Sequence, residues 1–358
     1  MSKNFWKADS SLIPILKICL APDSQVEPML REWESTHLVE VIDGGLIRYI
    51  PFLYRRFLDL NIEPRDNFIL RGVYFKSWWA QTVFQRENLE FLFGLDEKFP
   101  KFALLKGTAL QYSIYSSDPR TRPCDDVDIL VNSSERYSAV QYFLDAGFRL
   151  DSVYTLDYVM NFRKSAPFTR AGISIDLNWG LYEYSRYPSN LSDFKFRRIK
   201  AGANEINLLS DTDNLVHSII HGSGWNPVPS TRWILDAALL IKNGNIDWSE
   251  FVEKVIKNGW QYPLIEQISY LEEFGIFIPD SVKKEISMSK SDLFGKAMYL
   301  YQRQPKLIAR RFLRFIFADY LIFITVNKLR NSPSRYLLLQ GKILKNFVVQ
   351  YTQAKRLK

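Results

Sequence analysis

Cysteine and histidine are scarce in this chain, at 2 and 3 of 358 residues. Cys19 and Cys124 stand far apart with no metal-ligand spacing around either. This excludes a disulfide framework and a zinc site, and it fits a reducing compartment, the cytoplasm. No apolar run is long enough to span a bilayer. The greasiest segment, FLRFIFADYLIFITV from Phe312 to Val326, falls short of a span and carries Arg314 and Asp319. It reads as a buried or interface helix, and no stable membrane insertion is expected. The run from Leu12 to Ala21 is interrupted by Pro14 and Lys17 and lacks a following cleavage pattern, so it reads as a first helix rather than a signal peptide. Also missing are a Gly-x-Ser-x-Gly elbow, a full Walker lysine loop, a Rossmann fingerprint, a fixed-period repeat and any low-complexity tract.

What is present is an ordinary globular balance, 47% hydrophobic and 24% charged, in a chain long enough for two or three domains. The net charge of +8 favours an anionic partner: a nucleotide, a nucleic acid or a membrane surface. From Tyr301 to Lys358 there are thirteen Lys and Arg against the single acid Asp319. That bias marks either an anion-binding face or a solvated helix surface.

Apolar residues recur at helical spacing from 26 to 98, broken at Gly44-Gly45 and Glu63-Pro64, which predicts an N-terminal helical region over 1–98. Around Pro100 the period changes, and residues 99–205 read as a small α/β unit. Phe102–Leu105 is a strand, Thr108–Tyr115 a helix and Val127–Val131 a strand; a further helix is opened by Ser133 or Ser134 and closed by Gly147. RLDSVYTLDYVMNFRKS and GISIDLNWGLY read as two strand-like runs joined by a loop through Pro167 and Gly172. Helical spacing then returns over 206–358, with Asp211 expected to cap one helix and Ser230 or Thr231 the next. The fold class is therefore α+β, an α/β unit between two helical regions.

The chemistry concentrates in three places. Asp126 and Asp128 alternate with Val127 and Ile129, so both carboxylates project to one side of a strand. Two carboxylates so close repel unless cations neutralise them, and hard oxygen ligands of this kind suit Mg²⁺, with two ions in phosphoryl and nucleotidyl transfer. Upstream, Lys106-Gly107-Thr108 follows a strand and opens a helix, where Gly107 permits close backbone approach and Thr108 adds a hydroxyl. Lys106 either reaches a phosphate or only ends the strand. Downstream, Asp176 lies in an apolar strand, and a metal shared with Asp126 and Asp128 would give it a partner.

In that order and spacing these residues resemble the nucleotidyltransferase fold superfamily. The runs KGTAL, DVDILV and SIDLNWGL, with Arg122 four residues before Asp126, are similar to the group of uncharacterised nucleotidyltransferases, over roughly residues 30 to 245. The resemblance implies a small nucleotidyltransferase-type domain with a mixed sheet. It implies that Asp126 and Asp128 bind the metals that bridge the phosphates of an NTP, ATP in the first instance, that Asp176 completes the metal site, and that Gly107 and Thr108 hold the triphosphate. Bacterial members of the group are often encoded near peptide natural-product and polysaccharide genes, which implies a small-molecule or modified-peptide acceptor; the basic C-terminal region keeps RNA open. Thr108 stands where the superfamily prefers Ser or Gly, and Asn178 where relatives often have His.

Other residues carry two readings each. Arg122 can clamp a phosphate, or pair with Asp125 or Asp118. Asp125 reads as a turn residue facing away from the pair. Arg232 and Asp236, four apart, read as a helix pair, with Arg232 as a phosphate or substrate contact because this region packs beside the active site in the resembling group. His217 and His221 share a helix face but lack a third ligand for zinc, so the face is expected to meet the α/β unit. The rival to an enzyme is a non-catalytic, antitoxin-like or scaffold protein that keeps the fold for binding.

Overall fold

The computed structural model describes residues 6–36, 45–99, 102–182, 191–201, 204–223 and 231–289. The basic run and the apolar segment Phe312–Val326 lie outside them, as does Ser230. Twelve α-helices and seven strands are described. Four helices come first: α1 (Leu12–Leu20), α2 (Asp23–Thr36), α3 (Ile50–Asp59) and α4 (Asn67–Lys98). Then follow β1 (Ala103–Leu105), α5 (Lys106–Gln111), β2 (Val127–Leu130), α6 (Arg136–Asp145), β3 (Arg149–Leu150), α7 (Leu156–Phe162), β4 (Ser165–Arg170), β5 (Ile173–Asn178), β6 (Phe196–Ala201) and β7 (Asn204–Leu209). Five helices end the described chain: α8 (Asp211–Ser223), α9 (Arg232–Asn243), α10 (Trp248–Asn258), α11 (Gln261–Glu272) and α12 (Asp280–Met288).

The strands form one mixed sheet in the order β3-β4-β5-β2-β1-β7-β6, parallel between β2 and β5 and between β1 and β7 and antiparallel elsewhere. Strand alternation divides its side chains between two cores. Leu104, Val127, Ile129, Phe168, Ile175 and Leu177 pack with Phe143 and Phe148 under α6 and the C-terminal part of α4. Ala103, Leu105, Leu130 and Leu209 face the other way, into a larger core with α1, α3, α8, α9 and α11. Asp128 and Asp176 alternate with members of the first core. They therefore lie on the face that the C-terminal helices cover.

Several local expectations are corrected. The run expected to be one strand is a two-residue strand followed by α7, because Thr155 accepts from the N–H of Tyr158 at 3.3 Å and Tyr158, Val159 and Phe162 are buried at helical spacing. Pro167 lies within β4 rather than in a loop. Its backbone faces the β3 side, where its carbonyl accepts from the N–H of Asp151 just past the end of that strand, so the missing donor costs no ladder bond. The connection is instead Ala171-Gly172, both at positive φ (46° and 88°), a tight hairpin turn. The helix after β1 starts at Lys106 and ends at Gln111. Strands β6 and β7 add a hairpin that carries the sheet to Leu209. Ser210, not Asp211, caps α8: its hydroxyl accepts from the N–H of Asp213 at 3.0 Å and donates to that carboxylate at 2.9 Å.

Candidate active site

The register of two parallel strands brings the acids together. Asp128 on β2 and Asp176 on β5 are direct neighbours across the pair, and Asp126 precedes β2 by one residue. One carboxylate oxygen from each of the three lies within 4.8 Å of the others. Asp128 is buried, Asp176 half-buried and Asp126 exposed. Burial, and then the neighbouring Asp126 and Asp176, push the Asp128 carboxyl up to about 7 even though Lys106 opposes this. Burial raises Asp126 as well, again against the pull of Lys106. A cluster with those properties needs positive charge.

Part of it comes from Lys106. Leu105, the last residue of β1, pairs with Asp128, so the next side chain emerges beside that carboxylate. The Lys106 ammonium donates to Asp128 Oδ1 at 2.5 Å and stands 3.7 Å from Asp176 Oδ2. Burial alone would lower this ammonium; Asp128 and Asp176 more than offset that and raise it. Its backbone sits at φ 49°, a left-handed conformation that costs an ordinary residue about 1–2 kcal/mol.

Gly107 is required by packing. A Cβ there would come within 2.5 Å of Cys124 Sγ and 3.1 Å of an Arg122 guanidinium nitrogen. Thr108 is buried, and its hydroxyl donates to the Asp126 carbonyl at 3.3 Å, tying α5 to the start of β2. The loop before β2 is also held from α4. Gln81 donates to the Cys124 carbonyl at 2.9 Å and accepts from the Cys124 N–H at 3.0 Å, while Gln111 donates to the Arg122 carbonyl at 2.7 Å. Sequence reading missed both glutamines, because their helix faces mix polar and apolar residues and give no local signal of a buried amide.

Arg122 does not pair with Asp118 or Asp125. It forms a two-pronged bond to Asp236 of α9, Nε to Oδ1 at 2.9 Å and a terminal nitrogen to Oδ2 at 2.7 Å, and Tyr115 also donates to Asp236 Oδ1 at 2.9 Å. Asp118 is engaged by Arg120 at 2.8 Å. The expected helix pair of Arg232 with Asp236 is therefore corrected: Asp236 is taken by Arg122. Arg232 donates instead to two backbone carbonyls, Pro123 at 2.6 Å and Arg48 at 3.3 Å, and to no carboxylate among the described residues. Burial and the neighbouring Arg122 pull it down to about 10, which leaves a charged and under-neutralised guanidinium.

Several of these groups line one cleft between the sheet and the C-terminal helices, while Thr108 and Asp176 are not among its lining residues. Its walls include Lys106, Gly107, Arg122, Asp126, Asp128 and Arg232, with Asp125 also on the lining, exposed in the bend before β2. His217 and His221 of α8 line it too, so that face meets the α/β unit as expected. His217 is buried and its imidazole is held well below its usual range, by burial first and then by His221 and Lys106. His221 is open to the cleft and is also lowered, by desolvation and by Lys106. Among the described residues the three aspartates are the one group of three or more His, Cys, Asp or Glu that can hold a metal, and no histidine belongs to it. Asn178 is buried and donates to the Asp176 carbonyl at 2.8 Å, buttressing that strand end.

The family model described as "Uncharacterised nucleotidyltransferase" matches residues 69–275. The chain belongs to the uncharacterised nucleotidyltransferase family. The match begins later and ends further on than the stretch over which the motifs showed the resemblance, and it takes in all of the sheet together with α4 and α8 to α11. No curated protein matches the chain. Membership brings a general role in nucleotidyl transfer, with a nucleoside triphosphate as substrate and, typically, a divalent metal. The three convergent oxygen donors fit such an ion. No helix among the described residues is long and apolar enough to cross a membrane.

Proposed function

We propose that the protein transfers an NMP, AMP in the first instance, from an NTP to a hydroxyl or phosphate of an acceptor and releases pyrophosphate, with Mg²⁺ as its metal. The observation that carries this is the convergence of Asp126, Asp128 and Asp176 within 4.8 Å, the first two of them on the wall of a cleft that also holds an under-neutralised arginine. Acids and a cation without a carboxylate partner among the described residues, on the lining of one cleft, suit a metal-bound anion. Asp126, Asp128 and Asp176 would hold the ions, and Mg²⁺ bound there would supply Lewis-acid neutralisation of the triphosphate.

The chain's own residues do the rest. Gly107 keeps the start of α5 close to the Arg122–Cys124 loop, and Thr108 ties α5 to the Asp126 carbonyl, which would preorganise the phosphate-facing backbone. Arg232 and Lys106, both on the cleft lining, would be the cations that meet phosphate oxygens. Arg122, with its fork on Asp236, contributes by holding α9, and with it Arg232, against β2. Asp176, half-buried beside Asp128, would draw the proton from the acceptor oxygen as it attacks the α-phosphorus and the bond to the β-phosphate breaks. A small molecule or modified peptide is the acceptor this reading favours, with RNA the other class.

Incubation with α-labelled NTPs and Mg²⁺ in a cell extract should label an acceptor, and Asp126→Ala/Asp128→Ala should abolish the label. Thermal stabilisation by Mg²⁺ plus NTP should vanish in Asp128→Asn. Wild type and variants behaving alike in both assays would instead favour the non-catalytic, scaffold reading.

A further inference from the structure

Lys106 occupies the place that a cation bridging Asp128 and Asp176 needs. Its ammonium is in hydrogen-bond contact with one carboxylate and within ion-pair distance of the other, and all three acids of the cluster share the same small volume. The placement is specific. Lys106 takes a left-handed backbone at φ 49°, which ordinary residues seldom adopt, and its side chain reaches Asp128 near the start of β2. Asp128 offers Oδ1 to the ammonium, so a divalent ion cannot use that oxygen while the lysine holds it.

We infer that Lys106 is a built-in cation latch: it holds the acid cluster closed until a divalent ion displaces it into the cleft, where its ammonium is then free for the triphosphate. This rests on the nucleotidyl-transfer reading for the second half of the movement and on geometry alone for the first. The stem carries the landing site within its reach, since Lys106 lines the same cleft as Gly107 and Arg232. Two consequences follow from competition between like charges for one oxygen. Metal alone binds weakly, because it must evict a cation that has no new anion to meet. Metal and triphosphate bind with positive coupling, because the triphosphate receives the evicted ammonium. A phosphate-binding lysine that never touched the acids would give neither effect: its removal would weaken nucleotide binding and leave the affinity for the bare ion unchanged.

The test is titration of Mn²⁺ into the full chain without nucleotide, followed by the electron paramagnetic resonance of the free ion. Lys106→Met, which keeps the stem and removes the charge, should bind Mn²⁺ about tenfold or more tighter than wild type. Addition of the α,β-imido analogue of ATP should tighten Mn²⁺ binding in wild type by about the same factor, and much less in Lys106→Met. An unchanged or weaker Mn²⁺ affinity in the variant overturns the latch. Should Lys106→Met fail to fold, reductive methylation of wild-type protein read by mass spectrometry takes its place. Modification of Lys106 should be slow without metal, faster with Mn²⁺ and slowed again by Mn²⁺ plus the analogue, and indifference to Mn²⁺ overturns the proposal. The two readings fail separately. If Mn²⁺ tightens on removal of Lys106 while the analogue binds neither protein, the latch stands and nucleotidyl transfer falls; if the analogue binds with metal but removal of Lys106 changes nothing, the latch alone falls.

Discussion

Arg122 and Asp236 are 114 residues apart in the chain and almost wholly buried, and their two-pronged bond joins the loop before β2 to α9. Removing one member leaves a charge in low dielectric without its partner, the costly case for a buried pair. Asp236→Ala should therefore destabilise the protein by about 3–5 kcal/mol in urea unfolding. Replacing both members by apolar residues, Arg122→Met with Asp236→Leu, should recover most of that loss. A double variant no more stable than the single would mean that the pair holds something besides its own charges. Gly107 makes a second residue-scale case. Gly107→Ala drives a methyl to within 2.5 Å of Cys124 Sγ, an overpacking that costs about 1–3 kcal/mol. Cys124→Ala in the same chain removes the sulfur and should restore part of the melting temperature. If it restores none, the Arg122 guanidinium at 3.1 Å sets the limit rather than the sulfur.

At the scale of elements, α8 matters most, because it carries His217, Ser218 and His221 into the cleft. Two features fix it. Gly222 leaves room for Trp233 of α9 to lie directly on its last turn. Its first turn is closed by Ser210 and Asp213, and the Asp213 carboxylate is buried against Lys254 of α10. Ser210→Ala should cost about 1 kcal/mol of stability, with faster amide exchange confined to the start of α8; equal exchange across the whole helix would show that the cap does not control its fraying. The cap also marks where local sequence signals run out. Asp211 and Ser210 are both good cap residues, and only the acid three positions after Ser210 separates them. The acid strands were legible because a period of two admits one reading: Val127, Ile129, Ile175 and Leu177 demand the core, so Asp128 and Asp176 must face away. Strand β6 was not, since Arg197, Arg198 and Lys200 mask its alternation. Nor was the partner of Asp236, because the i,i+4 rule points to Arg232 and cannot weigh a ligand that arrives from 114 residues away with better fork geometry.

For the whole molecule, the cleft is the seam between the sheet and the C-terminal helices, and the groups that line it make stability depend on pH in two opposing ways. Burial holds the His217 imidazole well below its usual range, so the folded protein keeps it neutral where the unfolded chain takes up a proton. Its contribution is fully present above the unfolded value of about 6.5 and is lost as pH falls below it, by at most about 1.4 kcal/mol per pH unit. Asp128 works the other way. Its carboxyl, pushed up to about 7 by burial and by the other acids, favours the fold at low pH and loses that contribution as pH rises towards 7. A wild-type pH profile alone would blend the two. Comparison with His217→Asn separates them: between pH 7.5 and 5.5, about one unit either side of 6.5, urea unfolding of wild type should lose stability that the variant retains. The two proteins should run parallel above pH 7, where the unfolded imidazole is already neutral. Parallel profiles over the whole range would mean that His217 is solvated in the folded state, and that α8 and the sheet do not close over it as described.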